Sequence, residues 1–364
     1  MLKDEDYIRK TFRLAEKARG KTSPNPMVGC VIVKKGRIIA EGFHRRAGLP
    51  HAEVEALNNA SEDVKGSVMY INLEPCFHWG MTPPCVDRII SSEIKKVVIS
   101  VKDPNPEVKG KSITKMRREG IEVVAGVLKK EAEQLNEVFF KNMKEGLPFV
   151  AAKTAQTLDG KIADNRGGSK WITSSYSRKY ARRLRCVYDA VLIGANTVRK
   201  DDPRLTCPEK KMVKVILSSS LNIPLNARLF RNAKAVYIFT PAGPAKRGIL
   251  PGKLNQFKNK AEVIGIDGLG ESLNLKDVLK KLYSLGVMSL FVEGGGSVLG
   301  GFFDSKLVDK LYVFIAPKIM GKKQALASIS GRGDISVNNL AEINNPQVTS
   351  LGKDYLFSGY PVFK

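Results

Sequence analysis

His51 and Glu53 are separated by a single residue, and Cys76 and Cys85 follow with eight residues between them. Imidazole and thiolate are the donors zinc favours, and three protein ligands with one open position make a catalytic site rather than a structural one. His51, Cys76 and Cys85 form such a set. Water in the fourth position would have its pKa drawn toward ~7, giving hydroxide at neutral pH. Glu53 falls at the start of a helical run, within reach of the metal. There it can take a proton from the water and return it to a leaving amine. The bland alternative is that His51, Cys76 and Cys85 are unrelated core or surface residues. Against it, the three fall in one short stretch of a chain with only three histidines and five cysteines.

Nucleobase deaminases that use zinc combine His-x-Glu with Pro-Cys, the Glu carrying protons and not binding metal. Their cysteines are spaced Cys-x2-Cys. The longer interval here still lets both thiolates meet one ion, and Pro83-Pro84 would stiffen the approach to Cys85. A second chemical signal is Gly294-Gly295-Gly296, between the strand-like SLFVEG and a helical pattern. Glycines let backbone approach a phosphate, and a helix N-terminus favours the anion. Taken alone, that stretch reads equally well as a plain turn.

The elements around these residues alternate. Residues 3–19 suit an amphipathic helix. VGCVIVKKG and RIIAEGF read as strands across a Lys-Gly turn, and HAEVEALNNA as the helix that carries His51 and Glu53. SVMYINLE and KKVVISV are strands, SITKMRREG a helix and IEVVAGV a strand. LKKEAEQLNEVFFKNMKEG is one more helix, stopping at Gly146. Leu147-Pro148 marks a boundary. Beyond it PFVAAKTAQ, VYDAVLIGA, VKVILSS, AVYIFTP, AEVIGI, SLFVEG and KLYVFIAP read as strands. SSYSRKYARRLRC and LKDVLKKLYSLG are helices among them. Both halves are therefore α/β.

The chain has 364 residues, which at ~150 per domain suits two domains. Its 60 Lys and Arg against 36 Asp and Glu give a net charge of +24. That excess favours anionic partners, but the basic residues are scattered, most on a solvated surface, and form no long block. No run of ~18 apolar residues is present, so no membrane partner is expected. The acidic N-terminus is unlike a secretory signal, so a cytoplasmic location is expected. Cys30, Cys186 and Cys207 read as small buried hydrophobes.

The runs SPNPMVGCVIV, GFHRRAGLPHAEVEAL, EPCFHWGMTPPC and DPNP resemble the deaminase half of the bifunctional riboflavin biosynthesis proteins. KTAQTLDGKIA, GGSKWITS, YDAVLIGANTVRKDDPRLT and FVEGGGSVLGGFF resemble the reductase half, so the likeness covers essentially the whole chain. It implies an α/β protein: a cytidine-deaminase-like three-layer domain over 1–146, then a dihydrofolate-reductase-like domain over 147–364. The first would be a zinc-dependent pyrimidine deaminase acting on 2,5-diamino-6-(5-phosphoribosylamino)pyrimidin-4(3H)-one. The second would be an NADPH-dependent reductase of the ribosyl chain, giving 5-amino-6-(5-phosphoribitylamino)uracil.

By the same resemblance Asn25, His44, His78 and Asn105 would meet the first substrate. Ala155, Trp171, Thr197, Asp201, Ser219, Gly295, Gly296, Ser297, Val298, Leu299, Gly300 and Gly301 would line the NADPH site. Ser169, Arg185, Arg204, Leu205 and Glu293 would face the second substrate, with Arg185 and Arg204 as phosphate forks. Lys153 and Asp159 lie in the same motifs without an assigned role, and Asp201 and Glu293 are the candidate proton donors. Phe77 and Met81 depart from the family's small polar residue and base. Lys102 and Lys111 are candidates to replace the lost cation. Ser112 replaces a Gly, and Pro208 stands where an Arg can occur.

The partners expected are small phosphorylated pyrimidines and a second copy of the chain, with no nucleic acid. The rival reading is a nucleic-acid base deaminase with a basic accessory domain, which would use the same metal chemistry and charge. A third is a zinc-binding protein without turnover. The Cys-x8-Cys spacing, the reductase-like second half and an aromatic content of 7% weigh against the nucleic-acid reading.

Overall fold

The computed structural model describes residues 2–77, 79, 83–165, 167–168, 170–242, 251–267, 273–333 and 336–364. His78, Met81 and Ser169 lie outside the described residues. The chain divides into two compact units, Met1–Gly146 and Leu147–Lys364. Among the described residues no helix is long and apolar enough to cross a membrane.

The first unit runs α1 (Asp4–Glu16), β1 (Gly29–Lys34), β2 (Arg37–Phe43), α2 (Ala52–Asn58), β3 (Val68–Leu73) and α3 (Cys85–Ser91). Then come β4 (Lys96–Val101), α4 (Lys111–Arg118), β5 (Glu122–Ala125), α5 (Lys129–Leu135) and α6 (Glu137–Glu145). The sheet order is β2-β1-β3-β4-β5. β1 is antiparallel to β2 and β3, whereas β3, β4 and β5 are parallel. Side chains alternate along a strand, and in β1 the two sets meet different layers. Cys30 and Ile32 pack with Ala52, Ala56, Val86, Ile89, Ile113 and Met116 of α2, α3 and α4. Val31 and Val33 pack with Tyr7, Ile8 and Leu14 of α1 on the other face. The result is three layers, both faces of the sheet covered.

The second unit runs β6 (Phe149–Thr157), β7 (Lys161–Ala163), α7 (Ser175–Arg185), β8 (Ala190–Gly194), α8 (Ala195–Asp201), β9 (Met212–Leu217) and β10 (Ala233–Pro241). It continues α9 (Pro251–Asn255), β11 (Glu262–Ile266), α10 (Leu275–Ser284), β12 (Ser289–Val292), α11 (Gly296–Asp304) and β13 (Lys310–Ala316). It ends with β14 (Leu326–Ala327), β15 (Glu342–Leu351) and β16 (Asp354–Val362). The large sheet has the order β11-β10-β9-β8-β12-β6-β13-β16-β15. It is parallel through β13, and β16 and β15 are antiparallel. β12 lies between β6 and β8, so the chain order reverses there. In open parallel sheets ligands bind beyond the carboxyl ends of the strands at such a reversal.

Two expectations are corrected. Cys186 and Cys207 are not separate packing residues but a disulfide, with Cα atoms 5.4 Å apart. The pair ties the end of α7 to the segment before β9, and both halves are buried. The single helix expected after Val127 is two, α5 and α6, broken at Asn136. That side chain turns inward to accept from the Met27 amide (2.8 Å) and donate to the Met27 carbonyl (3.0 Å).

Candidate active sites

In the first unit, β2 and α2 set His51 and Glu53. A Cβ on Gly42 would collide with the backbone of α2 at Ala52 and Ala56, so glycine is what allows the helix to sit this close. His51 is the N-cap of α2, and Glu53 follows in its first turn, facing inward and buried. Cys76 lies just past β3, and Cys85 is the first residue of α3.

The three candidate ligands converge. His51 Nδ1 is 3.2 Å from Cys85 Sγ and 3.5 Å from Cys76 Sγ, and the three donor atoms lie within 4.8 Å of one another. Tetrahedral zinc with Zn–N and Zn–S bonds of ordinary length would separate N from S by ~3.6 Å, so the set fits. The Cys85 amide donates to Cys76 Sγ at 3.1 Å. A hydrogen bond from the Cys85 thiol, then His51, hold the Cys76 thiol well below its ordinary pKa. The same bond and burial push Cys85 up. Burial raises the Glu53 carboxyl to about 7, partly opposed by His51. A cation on the three donors would draw it lower again.

A cavity of about 320 Å³ opens onto this cluster, and Asn25, His44, His51, Glu53, Cys76 and Asn105 line it. His44 Nδ1–H donates to the Pro50 carbonyl (3.1 Å), which leaves Nε2 to accept from the Asn25 amide (3.1 Å). Both bonds suit the neutral ring, and burial lowers the pKa of His44 in the same direction. His44 therefore fixes which way Asn25 points.

Residues that sequence reasoning passed over support this wall. Buried Asn72 accepts from the Gly29 amide (2.8 Å) and donates to the Met27 carbonyl (2.9 Å). With Asn136 it fixes the segment after Asn25. Buried Glu74 accepts from the amides of Asp103 (3.2 Å) and Gly110 (2.9 Å), bracketing Asn105. An acid directly before Pro75-Cys76 was the available signal. Ser112, at the position expected to be Gly, donates its hydroxyl to the Pro75 carbonyl (2.7 Å). Lys102 and Lys111 are exposed and do not line the cavity, so nothing favours them as substitute cations.

In the second unit a cavity of about 770 Å³ lies at the carboxyl ends of β6, β8 and β12. From the expected cofactor set it takes Ala155, Trp171, Thr197, Asp201 and Gly295; from the substrate set, Arg185, Arg204, Leu205 and Glu293. Arg178 stacks over the Trp171 ring at 4.0 Å. Gly295 caps α11, so that helix begins at the cavity. Ser219, Gly296, Ser297, Val298, Leu299, Gly300 and Gly301 are not brought to the wall. Leu299 is a core residue, and a Cβ on Gly300 would strike the Ser330 carbonyl. Protein packing, not a ligand, explains the glycine there.

Arg185 does not present an open fork to a phosphate. Nε and Nη2 bond the two carboxylate oxygens of Glu293, and Nη1 donates to the Thr206 carbonyl at 2.8 Å. Lys153 Nζ joins at 3.6 Å. Burial pushes the Glu293 carboxyl up, but Arg185 and then Lys153 outweigh it and hold the group below its ordinary value. Glu293 is thus a carboxylate at neutral pH, which removes it as a proton donor. Asp159 has a structural place, accepting from the Met320 (3.0 Å) and Gly321 (2.9 Å) amides.

Residues 1–101 match the cytidine and deoxycytidylate deaminase zinc-binding region, and residues 148–357 match the RibD C-terminal domain. The chain is 44% identical to the riboflavin biosynthesis protein RibD of Aquifex aeolicus, with 96% of each chain covered. It belongs to the RibD family. To the RibD of Bacillus amyloliquefaciens it is 40% identical, over 98% of this chain and 96% of the other. A crystal structure from Thermotoga maritima superposes with a TM-score of 0.84 at 39% identity over 99% of both chains. That protein is described as a diaminohydroxyphosphoribosylaminopyrimidine deaminase and 5-amino-6-(5-phosphoribosylamino)uracil reductase. RibD from Acinetobacter baumannii gives 0.85 at 32% identity, again over 99% of both. As a RibD protein the chain is a bifunctional enzyme of riboflavin biosynthesis, with a cytidine-deaminase-like zinc-binding domain and a dihydrofolate-reductase-like reductase domain.

Proposed function

We propose that residues 1–146 deaminate 2,5-diamino-6-(5-phosphoribosylamino)pyrimidin-4(3H)-one and that residues 147–364 then reduce the ribosyl chain with NADPH. The observation that carries the first half is the convergence of His51, Cys76 and Cys85 beside buried Glu53 at the foot of a cavity.

Those three side chains would hold the zinc ion. When bound, zinc supplies Lewis acidity that activates water at neutral pH. Glu53 accepts a proton from the attacking water and delivers it to the departing amine. Its carboxyl is buried beside His51, Cys76 and Cys85, so the proton has a short way to travel. Asn25, oriented by His44, and Asn105 offer amide groups to the pyrimidine edge.

In the second cavity NADPH supplies the hydride when bound. Trp171, Thr197, Asp201 and Gly295 would hold the cofactor. Gly295 brings the N-terminal end of α11 to this wall, where the helix dipole favours an anion. Arg204 is exposed at the cavity wall, where its guanidinium would meet the substrate phosphate. The Lys153–Glu293–Arg185 array presents fixed charges to the ribosyl end.

Ligand-linked melting tests this against the nucleic-acid reading. NADPH should raise the melting temperature of the protein, as selective binding to the folded state requires. Stabilisation by RNA with a steep salt dependence, and none by NADPH, would refute it.

A further inference from the structure

Lys214 is fully buried on β9. Its Nζ donates to the carbonyl oxygens of Leu229 (2.7 Å), Arg231 (2.9 Å) and Arg204 (3.0 Å). An ammonium carries three N–H donors, and each meets a backbone oxygen. Burying the charge is unfavourable unless its donors are met. Burial, then the Arg185 charge, lowers the Lys214 pKa to about 8.

One of those oxygens belongs to the wall of the second cavity. Pro203, Arg204, Leu205 and Thr206 line it, but Lys214 does not. The segment is irregular and strained. Asp202 (φ 40°) and Leu205 (φ 49°) adopt left-handed backbone, which side chains other than glycine avoid. Such backbone persists where its surroundings over-determine it. The ties are countable: the Asp202 carbonyl accepts from Arg228 Nε (2.9 Å), and the Thr206 carbonyl accepts from Arg185. Cys207 is bonded to Cys186. Arg204 is fastened between these points by Lys214.

We propose that Lys214 is a positioning residue of the reductase site: by holding the Arg204 carbonyl it sets Arg204 and Leu205 at the cavity wall to receive the phosphorylated substrate. This rests on the reading of the second cavity as the reductase substrate site. Lys214 touches neither substrate nor cofactor.

The test is steady-state reduction of 5-amino-6-(5-phosphoribosylamino)uracil at saturating NADPH by the full chain, as wild type, K214M and K214R. K214M should raise KM for the uracil about tenfold and leave kcat within about threefold. K214R keeps charge and donors and should bring KM back to within about threefold of wild type. A merely structural role would lower the active fraction, and so kcat, without moving KM. A folded K214M with unchanged KM overturns the proposal.

Should K214M fail to fold, wild type and K214R are compared from neutral pH upward. A neutral amine has two N–H groups for three carbonyls, whereas a guanidinium stays charged. Arg185, itself paired with Glu293, is the charged side chain acting on Lys214, and residues 204, 229 and 231 meet it through carbonyls. Wild-type KM should climb above pH about 8 relative to K214R, and superimposable profiles overturn the proposal. If wild type itself does not oxidise NADPH with this uracil, the reading of the cavity fails and the proposal falls with it.

Discussion

Arg185 grips Glu293 through two nitrogens, Nε on one carboxylate oxygen and Nη2 on the other at 3.1 Å. The pair joins the last residue of α7 to the first residue past β12. It therefore fixes the spacing of two elements at the carboxyl end of the sheet, and it holds a part-buried acid at the cavity wall in its charged form.

Replacing Arg185 by Ala leaves Glu293, part-buried at the cavity wall, with Lys153 as its remaining cation. Losing one partner of a buried pair costs about 3 kcal/mol at the low end of what such pairs show. The reductase step should lose at least about tenfold in kcat/KM while ammonia release continues. Separate assays of the two half-reactions check this. Unchanged reductase kinetics would place Arg185 outside the site.

The same pair gives a pH dependence. The folded-state pKa of Glu293 lies below its ordinary value. Its contribution to stability is therefore fully present above the unfolded pKa of ~4.3 and is lost as pH falls through the folded value. Wild type should melt above R185A at neutral pH, and the two should converge as the buffer is made more acid than ~4. Calorimetry at neutral and acid pH measures the gap; a gap that widens with acid would contradict the assignment.

Glu53→Gln keeps the shape of a buried side chain and removes its proton chemistry. Zinc content should stay at the wild-type level, and ammonia release should fall by about a hundredfold or more. Activity within tenfold of wild type would sink the relay.

Cys85→Ser removes one of three metal donors at the start of α3. Zinc and ammonia release should both be lost, with reduction of supplied uracil retained. Metal analysis beside the two assays decides it. Loss of both activities would mean that the two units do not work independently.

Much of this was legible in the residues, and the misses have physical causes. Continuous apolar runs in VGCVIVKKG and SVMYINLE mark β1 and β3, because a strand with a layer on each face is apolar throughout. The β15–β16 hairpin had no such mark. β15 is almost wholly exposed and contains Pro346, so its pairing leaves little hydrophobic pattern. β7, β14 and α8 are short and were not foreseen either. His51, Glu53, Cys76 and Cys85 could be found because metal chemistry restricts residue type. Partners of Arg185 could not, since a guanidinium in ARRLRC looks like its exposed neighbours until the fold brings Glu293 to it. Lys214 misleads in the same way: in VKVILSS it resembles a solvated lysine, but a parallel sheet is covered on both faces.

The proposed function joins two successive reactions on one chain. It is tested most directly by giving purified protein of measured zinc content the diaminopyrimidinone substrate with NADPH, and following ammonia and NADPH oxidation together. About one zinc per chain is expected, with ammonia release first and NADPH oxidation that depends on it. Ammonia without NADPH oxidation would contradict the assignment of the second unit, and bound zinc with neither signal would contradict the account as a whole.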